Sequence, residues 1–368
     1  MAKLVWTVIN NTQANLDVTQ YVQSLSFAQG RPTAVSSYSG NSATITMYNF
    51  GGTENSVAIN DKIYIKSSTA ATGVLIIYIG YITSRTFDDN PGSGINSTMT
   101  ISLNDAMLQA GIANFQNQSL TDVNEQIGEI GVLLPQIVIG TTDTAANMST
   151  GSFTTNANQR INEIIAGDRG VLVNDFGIAS YVSSQYLALI PALVATIGRT
   201  TSATQIAYQD ITRIEAASNS IFYTQATVTG SASTVTKSSP ALTTYGTRTF
   251  TATTAQSNLV SESAEWYANT FSEPDTLMLN LSLTDIAQNA TALGKLNNLM
   301  SSTSFIEVNY TPPGGFETSG YFWPEQITVN ATTSETRIDM SMTPFTYYAN
   351  FILDDAIFGI LDTDRLAV

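Results

Sequence analysis

Short segments in which apolar and hydroxyl-bearing residues alternate recur through much of this chain, and a period of two belongs to a strand with one buried face. Ala43-Thr-Ile-Thr-Met-Tyr48 sets Ile45 and Met47 on one side and threonines on the other. Lys62-Ile-Tyr-Ile-Lys66 follows the same rule. Val74 to Ile82 is apolar on both faces, as a central strand is, and Ser97-Thr-Met-Thr-Ile-Ser-Leu103 completes the set after the turn Asn90-Pro-Gly-Ser-Gly94. No lysine follows that glycine-rich turn, so it reads as a hairpin and not as a phosphate cradle. The first hundred or so residues therefore predict a β sandwich or barrel.

The period then changes. Val123, Ile127 and Ile130 fall at helical spacing, with Thr121 as the cap and Pro135 as the stop. A second short helix is expected over Ala157 to Ala166, where Ile161, Ile164 and Ile165 make the buried stripe, Asn156 caps and Gly167-Asp-Arg-Gly170 is the exit. These two helices form a small α-containing insert. Strands return at Val171 to Val173, Ile178 to Ser183 and Ile221 to Thr229, and Gly230 to Ser239 reads as a mobile loop. Ser257 to Phe271 is the clearest helix, with Leu259, Ser263, Tyr267 and Phe271 on one ridge and Pro274 beyond its end. Strands are expected again at Thr276 to Ser282, Phe305 to Tyr310, Gln326 to Asn330 and Thr336 to Met342. The fold class is thus mainly β, of the α+β kind, with two β units flanking the insert.

Composition narrows the chemistry. Among 368 residues there is no His and no Cys, and 14 Lys plus Arg stand against 29 Asp plus Glu, a net charge of −15. A Ser-His-Asp triad, a cysteine nucleophile, an iron–sulfur site and an ordinary zinc site are excluded, and so are disulfides. A pI near 4.2 opposes tight nucleic-acid binding, which draws on clustered Lys and Arg. The start Met1-Ala-Lys-Leu4 has no signal-peptide pattern, and the apolar runs Val74 to Ile82 and Tyr186 to Ile197 are too short to cross a bilayer, so no membrane span is expected. Sequons at Asn96, Asn280 and Asn330 are what an Asn/Ser/Thr-rich chain produces by chance.

Five stretches, in order, resemble the tail hub proteins of long-tailed phages, called minor tail or baseplate hub proteins. The first is Leu16-Asp-Val-Thr-Gln-Tyr-Val-Gln-Ser-Leu-Ser26, followed by Gly30-Arg31 and Ala43-Thr-Ile-Thr-Met-Tyr-Asn49. Ile59 to Ile65, Tyr78 to Ile82 and Ile101 to Leu108 match the rest of that family's first barrel. Tyr245-Gly-Thr-Arg-Thr249 is similar to its "YG-R" strand, and Ala264-Glu-Trp-Tyr267 with Ser272-Glu-Pro274 to its helix ending in "EP". Phe351 to Leu366 looks like its closing tail, whereas Phe50-Gly-Gly52 and a short Ser231 to Lys237 depart from it.

The resemblance implies two tube-like β-barrel domains, over residues 1–112 and 170–345, the second carrying the helix 257–271. A small helical or mixed insert over 113–169 and a C-terminal tail over 346–368 complete the chain. It implies a structural, non-enzymatic virion protein of the tail tip, assembled in the host cytoplasm. Three copies would join the hexameric tail tube to a threefold spike or fibre and form part of the DNA channel. Implied partners are further copies in a homotrimer, the distal tail protein or terminal tube ring, the tape measure protein, and a central spike, fibre or cell-wall hydrolase. DNA would pass through without specific binding, and an acidic, Lys/Arg-poor wall would let it slide. No catalytic, cofactor-binding or metal residues and no cofactor are assigned.

Two other classes fit parts of the sequence. A carboxylate-dependent glycoside hydrolase would use acid pairs such as Asp88-Asp89, Asp354-Asp355 or Asp362-Thr-Asp364. Those acids sit at apparent turns or near the terminus, where solvated charge is the default, and Asp362 and Asp364 lack the spacing of a calcium loop. A receptor-binding adhesin would expose Tyr321, Phe322 and Trp323, which read more readily as core at a strand start.

Overall fold

The computed structural model describes residues 6–48, 56–69, 73–88, 97–111, 114–117, 123–133, 137–139, 153–175, 178–182, 192–197, 205–206, 211–218, 221–256, 258–272, 277–284, 304–310 and 318–344. Hydroxyl–apolar alternation produces strands through most of this length. The first β unit holds β1 (Trp6–Asn10), β2 (Leu16–Asp17), β3 (Val22–Gly30), β4 (Ser42–Tyr48), β5 (Lys62–Thr69), β6 (Gly73–Asp88) and β7 (Thr98–Asn104). The middle of the chain holds β8 (Asn114–Asn117), β9 (Ile137–Ile139), β10 (Phe153–Asn156), β11 (Val171–Asp175), β12 (Ile178–Val182), β13 (Ala192–Ile197) and β14 (Gln205–Ile206). Then follow β15 (Ile211–Ser218), β16 (Gln225–Thr229), β17 (Thr234–Ser238), β18 (Thr249–Thr253), β19 (Leu277–Thr284), β20 (Ser304–Tyr310), β21 (Thr318–Thr332) and β22 (Thr336–Pro344).

Both β units contribute to one 14-stranded sheet, in the order β14-β13-β20-β21-β3-β4-β7-β6-β5-β1-β2, with β15, β19 and β22 reaching it through β21. The fold is mainly β, and the sheet curls as a half-barrel. Its concave core holds the apolar partners of the hydroxyl residues: Phe27, Ile45, Met47 and Ile101 from the first unit, and Leu281, Val329, Ile338 and Met340 from the last. At roughly 1.5–3 kcal/mol per large side chain buried, this shared core is what holds sequence-distant halves together in a chain without disulfides.

A second core lies under the helix Val260–Thr270, which packs on β16 and β17. It buries Ile127 and Ile130 of the helix Val123–Leu133, Ile161 and Ile164 of the helix Ala157–Asp168, and Phe271. Asn156 caps the Ala157–Asp168 helix by accepting from the Gln159 N–H at 2.7 Å. That helix runs past Gly167 and stops at Arg169, which takes the left-handed conformation.

Four expectations change. Residues 230–239 are not a loop throughout, because β17 pairs residue for residue with β16, from Gln225 opposite Ser238 to Thr229 opposite Thr234. A polar but β-branched Thr-Val-Thr run suits a strand whose outer face meets water. The stretch Tyr245 to Arg248 is no strand: Leu242–Tyr245 is a short helical turn ended by Gly246 at φ +73°, and the strand starts at Thr249. Phe222 to Thr224 is not in β16, since the Tyr223 and Thr224 N–H groups donate to Phe271 and Arg248 carbonyls. The third helix begins at Val260 and not at Ser257, which lies outside the described residues with Thr121, Pro135, Pro274 and the Asn90 to Gly94 turn.

The junction between the two β units is β3 against β21, antiparallel from Gly30 opposite Gln326 to Ser24 opposite Thr332. A bulge between Pro324 and Gln326 sets Glu325 out of register there. The Arg31 N–H donates to the Glu325 carbonyl at 2.8 Å, and Arg31 Nε meets Glu325 Oε2 at 2.9 Å with both side chains buried. Glu325 Oε1 accepts from the Thr343 hydroxyl at 2.6 Å, and the Arg31 guanidinium lies 4.8 Å from the Tyr38 ring centroid. Burial pushes the Tyr38 hydroxyl up, and burial pushes Tyr267 nearby up to about 12, so both stay neutral beside this pair. Gly30 has φ +93°, and a Cβ there would stand 1.9 Å from the Glu325 carbonyl oxygen. The adjacent pair Gly30-Arg31 is thus the residue combination the junction needs: no side chain where the backbones touch, then a cation for the bulged acid.

Gly30→Ala is expected to lower stability by more than about 2 kcal/mol, measured as a shifted urea midpoint. Glu325→Ala removes the carboxylate from a buried guanidinium and is expected to cost about 3–5 kcal/mol, while the double change Arg31→Met with Glu325→Leu recovers most of that loss. Asp105 gives a pH signature. Desolvation by burial is the largest influence on its carboxyl and pushes it above the ordinary 3.8, while its Oδ1 accepts from the Leu108 N–H at 2.9 Å. A raised carboxyl favours the folded state at low pH, and that contribution is lost as pH rises through the raised value. Asp105→Asn keeps the acceptor and removes the charge, so its melting temperature is expected to gain on the parent's as pH rises above the ordinary carboxyl value of 3.8 and through the raised one.

Candidate assembly surface

The convex side of the large sheet follows from the same alternation. Where β3, β4, β7 and the end of β6 pair with one another, Ser24, Ser26, Ser42, Thr44, Thr46, Ser84, Thr86, Thr98, Thr100 and Ser102 face away from the first core, bordered by Tyr48, Tyr81, Asp88 and Asn104. Register turns them into rows. Thr86, Thr100, Thr46, Ser24 and Thr332 lie side by side across β6, β7, β4, β3 and β21. Beside them Ser84, Ser102, Thr44, Ser26 and Asn330 make a second row. Ser26 donates to Asn330 Oδ1 at 2.7 Å across the junction, and the Thr46 and Thr100 hydroxyls are 3.5 Å apart. Such cross-strand pairs each contribute a few tenths of a kcal/mol, so the rows are ordered chiefly by the backbone ladder beneath them.

Farther along, β22, β19 and β15 add charges that cancel locally. Arg337 meets Asp339 at 2.9 Å, and Arg213 meets Glu215 at 2.8 Å. The Ser282 hydroxyl donates to Asp339 Oδ1 at 2.6 Å. The Asp339 hydrogen bond is the main influence holding the Arg337 guanidinium above its usual value. This face is therefore hydroxyl-rich and close to neutral, although the whole chain carries −15.

Of the acids weighed for catalysis, only Asp88 lies among the described residues. Asp88 ends β6 on the surface, and Asp89, Asp354, Asp355, Asp362 and Asp364 lie outside the described residues. Among the described residues no group of three or more acids is placed to hold a metal ion. A cleft of about 420 Å³ opens between β18 and the Ala157–Asp168 helix, and its described lining offers one carboxylate, Glu163, which pairs with Arg160 at 3.0 Å. Hydrolysis of a glycoside by the usual route takes two facing carboxylates. Phe322 and Trp323 are buried, in the first and second cores respectively, and Tyr321 is half-buried against Phe305. They pack as a strand start does, in line with the core reading. No described helix is long and apolar enough to cross a membrane.

No protein-family model matches the chain, nor does any curated protein sequence. A tail protein from Neisseria meningitidis MC58 superposes with a TM-score of 0.61 at 10% identity, covering 94% of this chain and 97% of its own. The 43 kDa tail protein of prophage MuSo2 from Shewanella oneidensis gives 0.57 at 12% identity, over 94% and 98%. The fold is that of phage tail proteins. The same fold extends to an E. coli component of the type VI secretion system described as similar to the T4 bacteriophage tail proteins gp27 and gp5. Its TM-score is 0.52 at 12% identity, covering 88% of this chain and 73% of that one.

The hydroxyl rows were not singled out from sequence, though each strand's Ser/Thr period was visible. Which threonines share a row depends on register across β3–β21, between residues about three hundred positions apart. Because the rows carry no charge and face solvent, Thr44→Lys with Thr86→Lys is expected to change stability by less than about 0.5 kcal/mol per site in a thermal melt.

Proposed function

We propose that this protein is a structural, non-enzymatic component of a phage-type tail. Three copies form a ring at the tail tip that joins the hexameric tube to a threefold spike or fibre, with the hydroxyl face of the large sheet lining the DNA channel. The near-complete overlap with tail-protein structures carries the reading, since an added catalytic domain would leave part of the chain uncovered. Two β units that share one sheet can present two similar arcs per chain, so three chains supply six arcs to a sixfold tube. The partners that follow are the distal tail protein or terminal tube ring, the tape measure protein and a central spike, fibre or hydrolase. Residues 1–112 and 170–345 are the two barrel domains, 113–169 the insert and 346–368 a tail.

The wall expected from composition was acidic; the face proposed for the channel is neutral and hydroxylated. Duplex DNA is retained where Lys and Arg replace its counterions, and hydroxyls neither hold nor repel phosphate strongly. Ring formation is checked by native mass measurement and by end-on particle images, where a threefold ring around an open channel is expected. A protein that stays monomeric at assembly concentrations, or a ring with the Thr44 face outward, sinks the reading. In virions carrying Thr44→Lys with Thr86→Lys, assembly is expected to persist and DNA ejection to slow at low ionic strength.

A further inference from the structure

At β5, between β6 and β1, the neutral face changes character. Lys62, Tyr64 and Lys66 occupy alternate positions of β5 on the same side as the hydroxyl rows, because Lys62 stands opposite Tyr81, Tyr81 opposite Asn104 and Asn104 opposite Ser42. Lys62 Nζ lies 5.3 Å from the Tyr64 ring centroid and 6.0 Å from that of Tyr81, and Lys66 Nζ lies 5.6 Å from Tyr64. The intervening Ile63 and Ile65 are fully buried, which anchors the strand under this row.

These two lysines differ from most of the described cations. Arg31, Arg160, Arg213, Lys237 and Arg337 each hold a carboxylate. Among the described residues Lys62 and Lys66 hold none, and their ammonium groups rest on tyrosine rings instead. A ring face orients an ammonium without neutralising it, at roughly 0.5–1 kcal/mol for an exposed site. The positive charge stays available to an outside anion.

We propose that Lys62 and Lys66, positioned by Tyr64 and Tyr81, form a weak phosphate-contact strip for duplex DNA, read without regard to sequence. Both ammonium groups lie on the Tyr64 ring, at 5.3 and 5.6 Å from its centroid, which keeps them within about 11 Å of each other, so they face neighbouring phosphates of one duplex. A short cationic strip beside a neutral face steers the polyanion and lets it leave, since two contacts per chain bind weakly at physiological salt. The proposal deepens the channel reading by naming what touches DNA there, and it rests on that reading for its role in the tail.

The test is fluorescence anisotropy of a labelled 24-base-pair duplex with the purified full-length protein at low and rising salt. Binding is expected below about 50 mM salt. Lys62→Gln with Lys66→Gln is expected to weaken it at least about tenfold and to flatten the salt dependence by about two counterions per chain. Tyr64→Leu is expected to weaken binding about twofold to fivefold with the salt slope unchanged, because the charges remain. Thermal melts confirm that each variant is folded. No binding by the parent protein, binding unaffected by the double lysine change, or equal displacement by poly-glutamate overturns the proposal. The mass measurement reports on the ring independently, so strip binding in a protein that forms no ring would sink the tail-tip role and leave the strip standing.

Discussion

Everything in this fold depends on the pairing of β3 with β21. Residues 24–30 and 326–332 come from opposite ends of the chain, and their ladder makes one sheet and one core out of two β units. The contact tolerates little variation where Gly30 meets the Glu325 carbonyl, and the bulge that frees Glu325 also creates an acid in need of a cation. Arg31 supplies it from the very next position. A buried pair of this kind adds little net stability against an apolar replacement, because desolvation offsets attraction. It gives register: a one-residue slip of β3 would bury the hydroxyl rows and strand both charges.

Register in turn decides the surface. Each strand by itself has a Ser/Thr side, but an uncharged face spanning five strands exists only when the rows align across the junction. The net charge of −15 therefore says little about what any one face presents to a ligand. Cations are spent in pairs along β15 and β22, while Lys62 and Lys66 rest on aromatic rings, so the local field differs from strand to strand. For the proposed passage of a polyanion, this local distribution is the relevant quantity.

The helix-rich second core packs against the large sheet beside the hydroxyl rows, through Met278, Phe305 and Trp323, whose strand neighbours Leu279, Ile306 and Phe322 lie in the first core. The rows on β3, β4, β6 and β7 are the part proposed to face the axis. The described acids are dispersed among ion pairs, caps and strand ends.

Sequence alone determined the strand period, the two insert helices with the Asn156 cap, the helix under the second core and the chemistries excluded by the absence of His and Cys. Those are local properties: side-chain alternation, capping and composition act within a few residues. The reading failed where polar β-branched runs imitate loops, as in Thr234–Ser238, since a strand with one wet face and a mobile segment share a composition. It also could not show that Gly30 and Arg31 answer Glu325, or that Ser26 faces Asn330, because such pairs are settled by non-local hydrogen-bond register. Only the tertiary structure joined the ends of the chain, and with them the surface on which the proposed function rests.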